Sequence, residues 1–83
     1  MTTLEHVEVR QPARVVGIAG GTGVRSHLNT LGIHVGDTIQ VVDRAPFRGP
    51  VLVEIHGSRV ALGRGVARKV TVERNGHARP LTD

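Results

Sequence analysis

From Val51 to His56 the chain alternates: Val51, Val53 and Ile55 are β-branched, while Glu54 and His56 stand between and after them. β-branched side chains lose rotamer freedom in a helix and pack well on a pleated surface. A period of two places Val51, Val53 and Ile55 on one face of a strand and the polar residues on the other, so this segment must lay its odd-numbered face against a core. The same alternation turns Ile39 and Val41 inward against Thr38 and Gln40, Val60 and Leu62 against Arg59 and Ala61, and Val70 and Val72 against Lys69, Thr71 and Glu73. Val15 and Ile18 belong to a fifth strand that alternates less cleanly. His56-Gly57-Ser58 is short enough to join strands 51–56 and 58–62 as a tight hairpin, with a glycine able to take positive φ.

One segment breaks this pattern. Thr22 offers a hydroxyl N-cap, Leu28 and Leu31 lie on one helical face, and Gly32 suits the left-handed position after a helix, which predicts a short helix over about Gly23 to Leu31. Leu28 and Ile33 then form the hydrophobic pair of a Schellman ending. Five short strands and one inserted helix are too few for a sandwich, and the expected product is a mainly-β, five-stranded SH3-like barrel with the helix after its first strand. Leu31 and Ile33 are expected to plug it, while Arg25 and an edge of Leu28 line a groove along the helix. Residues 13–73 form the domain in this reading, after an N-terminal segment 1–12 and before an aperiodic stretch 74–83 that reads as a mobile tail. No internal repeat is visible.

At 83 residues there is room for one core, and the absence of cysteine excludes disulfides and thiolate metal sites. A reducing cytoplasm suits such a chain. Residues 1–11 lack the basic start and apolar run of a signal peptide, and no apolar run approaches the roughly 20 residues that span a bilayer. Eleven basic against seven acidic residues give a net charge of +4, but the ten arginines are scattered along the chain as on an ordinary solvated surface. Phe47 is the only aromatic, which argues against single-stranded nucleic acid, whose recognition depends on stacking bases on aromatic faces.

The chemical motifs are incomplete. Gly20-Gly21-Thr22-Gly23 lacks the Lys-Ser or Lys-Thr of a nucleotide loop and reads as a turn. His6, His27, His34, His56 and His77 include no HxH or HxxxH pair, and Glu54 with His56 supplies at most two ligands on a solvent-facing edge. No catalytic, cofactor or metal site is expected. The informative irregularity is Arg44-Ala45-Pro46-Phe47-Arg48-Gly49-Pro50, with two prolines, two arginines and the sole aromatic between strong strands. Either Phe47 is held out for a partner, flanked by Arg44, Pro46 and Arg48, or it closes the end of the barrel.

Over roughly Ala13 to Glu73 the chain resembles the FeoA family. The resemblance rests on Arg14-Val15-Val16-Gly17-Ile18, the passage Leu28-Asn29-Thr30-Leu31-Gly32-Ile33-His34-Val35-Gly36-Asp37, the proline loop Ala45 to Val51, Val60-Ala61-Leu62 and Val70-Thr71-Val72-Glu73. Gly63 stands where many relatives carry arginine, and Gly65 weakens the short helical turn expected before the last strand by about 1 kcal/mol relative to alanine. The resemblance implies a cytoplasmic accessory protein, not an enzyme, that binds the membrane ferrous-iron transporter FeoB, with its GTP-hydrolysing domain, at the inner face of the cell membrane. Weak self-association is left open. The same module also occurs in iron-dependent repressors, so a regulatory domain of that kind, an SH3-like adaptor and a nucleic-acid-binding barrel remain as alternatives.

Overall fold

The structure, a computed structural model, describes residues 1–74. Its elements are β1 (Thr2–Thr3), β2 (Ala13–Ile18), α1 (Gly21–Thr30), β3 (Thr38–Arg44), β4 (Val51–Ile55), β5 (Ser58–Leu62), α2 (Arg64–Ala67) and β6 (Val70–Arg74). The expected tail lies outside the described residues apart from Arg74, which ends β6.

All pairings are antiparallel, and the strands form one sheet in the order β1-β6-β2-β3-β4-β5. The alternation reads out as expected: Val51, Val53 and Ile55 are buried on β4, Ile39 and Val41 on β3, Val70 and Val72 on β6, and Leu62 on β5, where Val60 is half-buried. Two β-bulges explain the irregular stretches. On β2 the register shifts between Val15 and Gly17, so Val16 is the extra residue and both Val15 and Ile18 face inward. On β3 it shifts between Val41 and Asp43, burying Val42 beside Val41 and turning Arg44 to the inner side.

The sheet departs from expectation in two ways. It has six strands, not five, because Thr2 and Thr3 pair with Val72 and Thr71. Leu4 and Val7 follow into the core, so the segment read as preceding the domain supplies part of its interior. The barrel is also open, since the terminal strands β1 and β5 do not pair with one another.

Helix α1 begins two residues early. Gly20, left-handed at φ 98°, stands at its N-cap with no side-chain cap bond, and Thr22 lies inside the first turn. Its end matches the Schellman geometry. The Ile33 amide donates to the Leu28 carbonyl and the Gly32 amide to the Asn29 carbonyl, each at 2.9 Å, with Gly32 at φ 89°. Leu28 and Ile33 are fully buried, and Leu31 packs partly buried against them. The turn before the last strand does form despite Gly65: in α2 the Ala67 amide reaches the Gly63 carbonyl at 2.9 Å and Ala67 is buried.

Candidate functional site

The β3–β4 connection settles the alternative left open for Phe47. Its ring is 99% exposed, so it does not close the barrel. The Ala45 amide donates to the Pro50 carbonyl at 3.0 Å and the Gly49 amide to the Pro46 carbonyl at 3.1 Å, which ties the loop across its base. Gly49 is required by space: a Cβ there would stand 2.7 Å from the Ala45 Cβ and 3.1 Å from the Pro46 oxygen. Phe47 and Arg48 adopt left-handed backbones at φ 58° and 61°. Non-glycine residues hold such angles at a cost of about 1 to 3 kcal/mol each, and only where the surroundings determine them. Pro46 and Arg48 are exposed on either side of Phe47, and no ion pair holds Arg48 among the described residues.

Arg44 is not part of that surface. The Val42 bulge turns it inward, where its Nη2 donates to the Leu4 carbonyl at 3.0 Å and to the Val7 carbonyl, fastening the N-terminal segment. Burial, then the neighbouring Arg64 charge, lower its pKa, with Glu5 acting in the opposite sense; an arginine nevertheless remains a cationic donor. Arg64 Nη2 donates to the Ala45 carbonyl at 3.2 Å, fixing α2 to the loop base. The Nε of each arginine is buried without a partner. Arg64 carried no signal in the sequence that it braces this loop.

Along α1, Arg25 is exposed and lines a shallow groove of about 380 Å³ with Thr22, Ser26, Asn29 and Thr30. Leu28 does not line it. Fully buried between α1 and the sheet, it presents no edge to a partner, so its role lies in the core and in the Schellman ending.

Glu54 and His56, considered together as ligands, have separate partners: Glu54 accepts from Gln40 Nε2 at 3.2 Å, and His56 Nε2 lies 3.5 Å from Asp37 Oδ1. Asp37 Oδ2 accepts from the His34 amide at 2.8 Å and stands 3.5 Å from His34 Nδ1. Asp37 thus links the turn after α1 to the β4–β5 hairpin, a role its place in the sequence did not signal. Among the described residues no group of three or more His, Cys, Asp or Glu is placed to hold a metal ion.

Burial pulls the Asp37 carboxyl upward, but the His34 amide, the His56 imidazole and its charge, and the His34 side chain outweigh it and hold the carboxyl below its usual value. A depressed folded pKa contributes stability above the unfolded pKa and loses it as pH falls through the folded one. Wild type should therefore exceed Asp37→Asn in urea midpoint above about pH 4 and converge with it below. A gap that stays constant down to about pH 2 would show that the carboxylate charge contributes nothing.

A family model described as FeoA domain matches residues 2–74. A Methanocaldococcus jannaschii protein described as an Fe(2+) transport protein A is 38% identical over 56 residues, which span 68% of this chain and 66% of that relative's length. The crystal structure of an iron uptake regulatory protein (FeoA) superposes with a TM-score of 0.79 at 33% identity, covering 88% of this chain and 95% of that one. The Stenotrophomonas maltophilia FeoA complexed with zinc, a prokaryotic SH3 domain protein, superposes with a TM-score of 0.72 at 25% identity, covering 88% and 91%.

Proposed function

Because the chain belongs to the FeoA domain family, we propose that it is a non-catalytic accessory protein of ferrous-iron uptake that binds the membrane transporter FeoB and modulates it. The observation that carries this reading is Phe47, an aromatic exposed at 99% on a loop braced by Arg64, Gly49 and two prolines. Aromatic residues, phenylalanine among them, and arginine are enriched at protein interfaces, where a few such anchors carry most of the binding energy. The contact surface comprises Pro46, Phe47 and Arg48, with Arg25 at the rim of the α1 groove. Arg44 and Leu28 hold these elements in place from inside.

No helix among the described residues is long and apolar enough to cross a membrane. The chain works at the cytoplasmic face and reaches the bilayer through its partner. Arg25 steers an acidic partner surface, so Arg25→Ala slows association and reduces its salt dependence more than it alters the fold. In cells limited for ferrous iron, loss of the chain should change the uptake rate, with wild type restoring it and Phe47→Ala failing to. Uptake indifferent to the chain would overturn the assignment.

A further inference from the structure

The open barrel leaves two sheet edges, and they differ. β1 is blunted at two residues, whereas β5 runs for five without proline. Ile55 pairs with Ser58 across a two-residue turn whose His56 and Gly57 take φ 52° and 78°, the geometry of a type I′ hairpin. That register alternates hydrogen-bonded and non-bonded pairs, so Ser58, Val60 and Leu62 bond to β4 while the amides and carbonyls of Arg59 and Ala61 face the open side. Among the described residues no further backbone hydrogen bond reaches Ser58–Leu62.

Three features bear on the occupant. Arg59 is exposed and without an ion pair among the described residues, and Ala61 beside it is exposed and small. Between Ala45 and Gly63 the chain carries two exposed arginines, Arg48 and Arg59, and one acid, Glu54, which stands opposite Arg59 in the register but accepts from Gln40. The Leu62 end of the edge pairs with Val51, one step from the Pro50 base of the Phe47 loop, so an added strand would run toward that loop. A second copy fits poorly, because pairing the outward-facing Arg59 and Ala61 of one β5 with those of another sets Arg59 opposite or diagonal to its own copy.

We propose that β5 accepts an extended acidic segment of the partner protein as an added strand, paired through the backbone of Arg59 and Ala61, with Arg59 meeting its carboxylates. Main-chain bonds supply affinity in this mode and the alternating side chains supply specificity. The inference rests on the transporter reading above but identifies a different contact from Phe47.

Amide hydrogen exchange of the wild-type chain, alone and with the solubilised ferrous-iron transporter, tests it directly. Arg59 and Ala61 should exchange fast alone and slowly in the complex, while Ser58, Val60 and Leu62 change little. Ala61→Pro removes one outward donor at an edge position where proline is tolerated, and should weaken binding about tenfold, the equivalent of one lost hydrogen bond. Arg59→Glu should weaken binding and reduce its salt dependence. A complex in which Arg59 and Ala61 still exchange as in the free chain would overturn the edge site and leave the transporter reading standing; absence of any complex would overturn both. Protection of these amides in the free chain would also overturn it, assigning the edge to residues 75–83 if their deletion removes the protection, or to a second copy if dilution does.

Discussion

Leu28→Ala is expected to lower the melting temperature by at least about 8 °C, from a loss of about 2 to 5 kcal/mol. Leu28 is fully buried, and its carbonyl accepts the Ile33 amide that closes the Schellman ending, so truncation leaves a cavity beneath the turn that seats Ile33 in the core. A domain of this length holds only about 4 to 12 kcal/mol in total, so this loss is a large fraction of it. Its folded fraction should bind the transporter as wild type does, because Leu28 has no exposed edge. A variant that melts normally and loses binding would place Leu28 at the interface.

Phe47→Ala should give the opposite pattern. Removing a ring that is 99% exposed creates no cavity, so the melting temperature should move by less than about 4 °C. Affinity for the transporter should fall by about 2 kcal/mol, roughly thirtyfold, as for a central aromatic anchor. A sharp fall in melting temperature with unchanged affinity of the folded molecule would mean that the ring packs inward in solution. Together the two variants separate the residue that builds the fold from the one that meets the partner.

How far the sequence revealed this arrangement depends on the physics of each element. Side-chain alternation marks β4, most of β3 and β6 because one face of each is buried, and the helix ending was legible because Leu28, Gly32 and Ile33 occupy fixed offsets in a local motif. Bulges are properties of a pair of strands. Nothing in Val41-Val42-Asp43 discloses that β4 spends one residue fewer opposite it, so Arg44 was counted with the loop charges although the bulge turns it inward. β1 was missed because two threonines carry no periodicity, and Leu4 and Val7, a single pair three apart, are too short a pattern to assign to the core. Thr22 offered a plausible cap, yet left-handed backbone at Gly20 started the helix before it.

At the candidate surface, composition singled out the proline loop but could not choose between burial and exposure for Phe47. That choice depends on the backbone angles at Phe47 and Arg48 and on the close approach at Gly49, which are tertiary outcomes. Asp37, Arg64 and the open edge of β5 were invisible for the same reason, since each matters through a neighbour distant in the chain.

Titration of the purified wild-type chain against the solubilised ferrous-iron transporter, with Phe47→Ala in parallel, tests the central claim most directly. Saturable binding by wild type that weakens roughly thirtyfold in the folded variant is the predicted result. Folded wild-type protein that shows no saturable binding, or a variant that binds as tightly as wild type, would contradict it.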